Sequence, residues 1–288
     1  MEASEKVPQG TSSEYKLEVL HRLLSPYQRV ILAFSGGVDS TFLLRILRED
    51  ARRAILAVTA LSATYPESQR AEARGLADKM GVPHVEIETE EMGLEGFRAN
   101  PPDRCYYCKK ELFSRLEAMR LERGYDVVMD GSNDDDLADF RPGMRACKEL
   151  GVLSPLQEAR MSKQDIRVLS HTMGLPTWDK PSFACLASRF PYGTEITGEA
   201  LTKVDRCESF LRGRIFAQVR VRYHGPVARI EIDPEAFHVV LQHRQEIVRF
   251  FTEQGFTYVT LDMRGYRTGS MNEVLTPGVD KAGDTREV

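Results

Sequence analysis

No apolar run in this 288-residue chain approaches the roughly 18 residues that a membrane-spanning helix needs. The opening residues are polar and lack a signal-peptide pattern, so a cytoplasmic protein without a membrane partner is expected. Positive charge is not in excess either. Lys and Arg number 39 against 43 Asp and Glu, and the net charge of −4 leaves no global basic field to hold nucleic acid. Cysteine is sparse and odd in number, five in all. In a chain that reads as cytosolic, metal binding or catalysis suits those thiols better than disulfides. No internal repeat is evident. The apolar and charged fractions, 42% and 28%, are those of a globular protein, and the length suits one large or two modest domains.

Two common phosphate-loop patterns are missing too. There is no G-x-x-x-x-G-K-[ST], because the Gly-rich stretch carries no lysine, and no G-x-G-x-x-G. What stands there is Ser35-Gly36-Gly37-Val38-Asp39-Ser40. The apolar run 29–34 before it reads as a short buried strand, and 41–47 after it has helical spacing. Adjacent glycines permit a tight turn and a bare backbone. The helix starts with unpaired N–H groups and the positive end of its dipole facing the turn. With the hydroxyls of Ser35, Ser40 and Thr41 this is an anion site suited to phosphate. The loop resembles that of the N-type ATP pyrophosphatases. The resemblance implies that it holds the β- and γ-phosphates of ATP while the α-phosphate is attacked. AMP formation is then expected to depend on Asp39.

The chain around the loop alternates strands and helices. Strands are predicted over 54–59, 82–87 and 126–130, and helices over 15–24, 67–80 and 162–173. This is an α/β pattern: a parallel sheet with helices on both faces, whose ligands sit beyond the carboxyl ends of the strands. Residues 90–104 read as a loop or lid. At the end of the last strand Asp130 and Asn133 offer oxygens for Mg²⁺ between phosphates; alternatively, 131–136 is a solvated acidic loop capping a helix. Arg141, in Phe140-Arg141-Pro142-Gly143, is placed to reach a phosphate. Residues 178–193 have no period and read as a junction. The chain is therefore divided into 1–178 and a smaller α+β domain over 179–288. That domain is expected to hold a helix over 199–212, strands over 218–223, 227–232 and 256–261, and one helix over 234–254 opened by a proline.

Cys105 and Cys108 form a C-x-x-C that fits a redox dithiol, a zinc half-site or a cluster half-site. A second C-x-x-C or a histidine pair, which zinc would want, is absent. Cys185 lies in the junction, where a thiol can face a cavity. Cys147 and Cys207 fall in predicted helices and read as plain packed residues. Three thiolates can hold a [4Fe–4S] cluster and leave one iron open for sulfide or substrate, which suits sulfur transfer. Arg220 and Arg222 are two apart on a strand and share a face. With Arg189 nearby in the sequence pattern they suit phosphate or carboxylate; the alternative is a solvated strand face.

Several stretches together resemble the LarE family of ATP-dependent sulfur insertases: the Ser35–Ser40 loop, Tyr106-Tyr107-x-Lys109-Lys110, Asp130-Gly131, Phe140-Arg141-Pro142-Gly143, Ser188-Arg189-Phe190-Pro191-Tyr192-Gly193, Val219-Arg220-Val221-Arg222 and Arg229-Ile230-Glu231. The resemblance implies adenylation of a carboxylate of pyridinium-3,5-biscarboxylic acid mononucleotide and its conversion to a thiocarboxylate. It implies ATP and Mg²⁺ as cofactors, Arg189, Arg220 and Arg222 at the substrate phosphate, and Glu208 and Glu231 at an intersubunit metal of a homo-oligomer. Some members give up the sulfur of one junction cysteine, which Cys185 matches. The additional Cys105 and Cys108 place this chain with the members that hold a [4Fe–4S] cluster and take sulfur from inorganic sulfide or a donor protein. The alternatives are a cluster-dependent tRNA thiolase and a non-catalytic nucleotide-binding module.

Overall fold

The computed structural model describes residues 11–137, 142–181, 184–214, 218–267 and 269–275. The chain divides into two compact units. The first runs to Cys185 and takes back Glu195–Gly198; the second holds Leu186–Thr194 and everything from Glu199.

The first unit is built from α1 (Ser13–Leu24), β1 (Arg29–Ala33), α2 (Val38–Leu47), β2 (Ala54–Leu61), α3 (Glu67–Lys79), β3 (His84–Glu88), α4 (Glu95–Arg98), α5 (Arg104–Arg123), β4 (Val127–Met129), α6 (Gly143–Glu149), α7 (Pro155–Glu158) and α8 (Lys163–Thr172). All strand pairs are parallel and the order is β3-β2-β1-β4. The strands are continuous apolar runs because both faces are covered. Val30 and Leu32 pack with α1, α2 and α8 through Leu20, Leu43 and Ile166. Ile31, between them, points the other way, to Phe113 and Leu116 of α5. The expected helix-covered parallel sheet is therefore present. The chain leaves β1 toward β2 and later returns to β1's other edge as β4. The crevice of such a sheet opens at that reversal, beyond the carboxyl ends of β1 and β4.

Residues 90–104 are not the plain loop expected. They contain a 3-10 turn at Glu91–Gly93 and α4, because Glu91 and Phe97 are buried and fix the backbone there. Ser162 caps α8, in a reciprocal box with Asp165.

The second unit holds α9 (Gly198–Arg214), β5 (Arg220–His224), β6 (Val227–Glu231), α10 (Phe237–Gln242), α11 (Arg244–Glu253) and β7 (Tyr258–Leu261). Its sheet, β5-β6-β7, is antiparallel at the first pair and parallel at the second, since α10 and α11 carry the chain back. The single helix expected over 234–254 is broken. Pro234–Ala236 is a 3-10 turn, and His243, at φ −95 and ψ 11, separates α10 from α11.

Candidate active site

The stretch after β1 folds as predicted. Gly36 sits at φ +63, and a Cβ on it would meet Ala73 Cα at 2.9 Å, so glycine alone fits against α3. Gly37 is the N-cap of α2 and no side chain caps it, which leaves the first N–H groups of α2 for a ligand. The hydroxyls of Ser35 and Ser40 lie 3.2 Å apart, and Tyr65 donates to the Ser35 carbonyl. Thr41 is fully buried and lines neither of the two cavities that open at the loop. A cavity of about 350 Å³ opens here, walled by Ser35, Gly37, Asp39 and Ser40, by Thr59 and Ser62 of the β2 end, by Asp130 and Gly131 of the β4 end, and by Cys108, Lys109 and Cys185. A second, of about 390 Å³, shares Ser35, Gly37, Asp39, Tyr65 and Asp136 and adds Asn133, Asp135, Lys163 and Lys180. Sequence reasoning gave Lys163 and Lys180 no role. A usable signal was Lys163 itself, a cation at the first residue of a helix, where the dipole disfavours it.

Asp130 is 5% exposed, and its oxygens are already engaged. Ser154 and Ser132 donate at 2.7 Å, and Lys109 Nζ stands at 3.3 Å. Burial works against the charge, but Lys109 and these donors outweigh it and hold the carboxyl below its usual range. By contrast Asp39 Oδ1 and Asn133 Oδ1 are buried without a hydrogen-bond partner among the described residues. They are the oxygens a cation could take. Asp39 Oδ2 is held by Lys163. Arg141 lies outside the described residues.

Cys105 and Cys108 are both on α5, three residues apart and on one side of the helix. Burial pushes the Cys108 thiol well up, and the neighbouring Cys185, Glu91 and Cys105 push it further. Cys105 and Cys185 thus both lie near Cys108, and Cys108 and Cys185 wall the first cavity. Among the described residues, no group of three or more His, Cys, Asp or Glu is arranged to hold a metal ion. Cys207 is buried, its thiol raised to about 12 by burial and Glu208. Cys147 is also buried, and its thiol is pushed up to about 11 chiefly by burial. It is not a bystander, though, because its sulfur lies 3.8 Å from both Lys109 Nζ and Asp130 Oδ2.

In the second unit, Arg220 and Arg222 are each 5% exposed, which rules out a solvated strand face. Arg189 is fully buried and grips Glu208 with two nitrogens at 2.8 and 2.9 Å. Arg212 and the Val221 N–H complete that carboxylate's shell. Arg222 and Arg229 hold Glu231, which is equally buried, at 2.6 and 3.0 Å. Burial, and then Arg189, push Arg220 down to about 10. Arg189, Arg212, Arg220, Arg222 and Arg229 thus surround two fully buried carboxylates, and Asp205 and Asp262 pair with Arg212 and Arg229 from outside that pair.

This combination of parallel sheet, uncapped Ser-Gly-Gly loop and helix defines a PP-loop ATP-using enzyme. The asparagine synthase family, built on such a loop domain, matches residues 20–132. The chain is 37% identical to the pyridinium-3,5-bisthiocarboxylic acid mononucleotide synthase of Lactiplantibacillus plantarum over 91% of its own length and 95% of that protein's. It is 44% identical to the uncharacterized protein slr1717 of Synechocystis sp., over 91% and 99% of the two chains. It is 28% identical to the tRNA-specific 2-thiouridylase MnmA of Azorhizobium caulinodans, over 53% of this chain and 49% of that protein. The chain belongs to the LarE family, that of the mononucleotide synthase. No helix among the described residues is long and apolar enough to cross a membrane.

Proposed function

We propose that this chain is an ATP-dependent sulfur transferase of nickel-pincer cofactor synthesis. Its substrate is pyridinium-3,5-biscarboxylic acid mononucleotide, one carboxylate of which it adenylates and converts to a thiocarboxylate. The observation that carries this reading is a single cavity walled by both the phosphate loop and two thiols, Cys108 and Cys185. The likeness to the L. plantarum synthase supports the choice of substrate.

The chemistry follows from the parts. Ser35, Gly36, Gly37 and Ser40 with the first N–H groups of α2 hold the β- and γ-phosphates. Asp39 and Asn133, whose buried oxygens lack partners among the described residues, are the side chains suited to Mg²⁺. A substrate carboxylate oxygen bonds to the α-phosphorus, and the bond to the bridging oxygen breaks, sending its electron pair out with pyrophosphate. A sulfur nucleophile then attacks the acyl carbon and AMP leaves. Arg189, Arg220 and Arg222 bind the mononucleotide phosphate, with Glu208 and Glu231 holding the guanidiniums in place.

Cys105, Cys108 and Cys185 are the residues that would hold a [4Fe–4S] cluster. With three protein ligands it supplies an open iron able to carry sulfide. A cluster spreads its thiolates over separate irons, so its ligands stand further apart than those of one ion. What supports the three as ligands is that Cys105 and Cys185 both act on the Cys108 thiol. The sulfur would come from inorganic sulfide or a donor protein. The test is anaerobic reconstitution followed by assay with ATP, substrate and sulfide. About four irons per chain, pyrophosphate release and repeated thiocarboxylate formation are expected. Iron-free protein that stays active while Cys185 becomes dehydroalanine would replace the cluster by a sacrificial cysteine. Absence of pyrophosphate release would remove the enzyme reading altogether.

A further inference from the structure

We propose that Lys163 is a cation with two positions. It rests on Asp39 in the nucleotide-free protein. It moves onto the β- and γ-phosphates of ATP when a divalent cation takes its place on Asp39. This inference rests on the ATP reading above and assigns a residue to the leaving-group half of that site.

Asp39 lies in the first turn of α2, whose unpaired N–H groups face the cavity meant for phosphate. A carboxylate there repels the polyphosphate unless a cation screens it. Lys163 Nζ is that cation, paired with Asp39 Oδ2 across 124 residues of sequence. The pair is only half-used. Asp39 Oδ1 is buried and has no hydrogen-bond partner among the described residues, so the carboxylate has an oxygen left for a second cation.

Position argues against a purely structural lysine. Lys163 opens α8, where the helix dipole disfavours positive charge, and Asp165 in the same turn is committed to Lys16, Ser13 and Ser162. Lys163 and Asp39 both wall the second cavity. Lys180 walls it too, but is tied down, donating to the Gly36 carbonyl at 3.0 Å and pairing with Glu72 at 2.8 Å. Lys180 therefore fixes the loop, while Lys163, on a flexible stem with one partner side chain, is able to travel. In the reaction Lys163 stays an ammonium. It neutralises the charge that builds on pyrophosphate as the bond from the α-phosphorus to the bridging oxygen breaks.

The experiment uses Lys163→Met and Lys163→Arg in the full chain. Mn²⁺ binding without nucleotide is read by electron paramagnetic resonance, and pyrophosphate release is read in a single turnover. Removing the resident competitor should tighten Mn²⁺ binding of Lys163→Met by about three- to tenfold. Pyrophosphate release should fall by about 10²-fold, and Lys163→Arg should recover part of it. Unchanged or weaker Mn²⁺ binding overturns the exchange, as does normal pyrophosphate release by Lys163→Met. A lowered melting temperature with neither change also overturns it, since an ordinary ion pair would give that result. If wild-type protein releases no pyrophosphate with any carboxylate, the ATP reading fails, and the Mn²⁺ arm still decides whether Lys163 competes for Asp39.

Discussion

Gly131→Ala tests whether the site is built by close approach of two backbones. A Cβ at this position would stand 3.0 Å from Ser40 N, 3.1 Å from Ser40 Cα and 3.4 Å from the Asp39 carbonyl carbon. All three are main-chain atoms, so no rotamer change relieves the contact. The start of α2 or the end of β4 must shift by a few tenths of an ångström. Overpacking of this kind costs about 1–3 kcal/mol. A functional loss should accompany it. The atoms displaced belong to the turn whose N–H groups aim at phosphate, and misplacing a reacting group by about 1 Å costs on the order of 10²-fold. We expect urea denaturation to show the loss of stability, and pyrophosphate release to show a drop of up to about tenfold in kcat/KM for ATP, since the shift is a fraction of that misplacement. Gly37→Ala is the control for stability. Its Cβ meets only the Ser35 hydroxyl, at 3.3 Å, and that side chain can turn away. If Gly131→Ala matches wild type in both stability and KM for ATP, the two backbones are not in the contact that this account requires.

Asp39→Ala should abolish AMP formation while far-UV dichroism stays native; retained AMP formation would remove Asp39 from the adenylation step. Arg189→Ala should destabilise the second unit by about 1.5–3 kcal/mol in urea, because it removes the two-nitrogen grip on the fully buried Glu208 and leaves that carboxylate to Arg212 and the Val221 N–H; a loss under about 1 kcal/mol on that scale would show that the carboxylate is not committed to Arg189. Arg220→Lys keeps the charge but loses the planar fork. It should weaken mononucleotide binding about tenfold without changing ATP binding, and calorimetry with each ligand separates the two. The Asp165 carboxyl is held down at about 2, below the usual carboxylate range, because Lys16, Ser13 and Ser162 outweigh its burial cost. A depressed carboxyl contributes stability that is present above the unfolded value and lost as pH falls through the folded one. Wild type should therefore lose about 1–2 kcal/mol more than Asp165→Asn between pH 5 and pH 2, and parallel pH profiles would contradict this.

The sheet was legible because its strands are buried on both faces and spell continuous apolar runs at 30–32, 55–58 and 127–129. The loop was legible because glycine at 36 is a backbone requirement written into the sequence. What the sequence hid has a physical reason in each case. The break at His243 leaves no trace, since Val240, Ile247 and Phe251 keep a helical spacing across it. Arg220 and Arg222 alternate with valines as an amphipathic strand would, and only the buried glutamates facing them reveal that both faces are covered. Lys163 joins Asp39 from 124 residues away, a pairing that no local pattern encodes.

The same geometry bears on how sulfur is activated. A thiol is a weak nucleophile until it loses its proton. At Cys108 burial and three neighbours all hold the proton on, and only Lys109 pulls the other way. Lys109 is itself shared with Asp130 and lies 3.8 Å from the Cys147 sulfur, so little of its charge is left for Cys108. A catalytic cysteine of the usual kind sits in an electropositive setting, and this one does not. Metal coordination deprotonates a thiol outright, whatever its burial. The surroundings that make Cys108 a poor nucleophile therefore speak against Cys108 as the attacking sulfur and are compatible with the proposed ligand role. Alkylation tests this. In the iron-free protein Cys108 should react with iodoacetamide more slowly than the exposed Cys105 at neutral pH, and the gap should narrow as pH rises. Fast labelling of Cys108 at neutral pH would make it an activated thiolate and return the protein's own sulfur to the reaction.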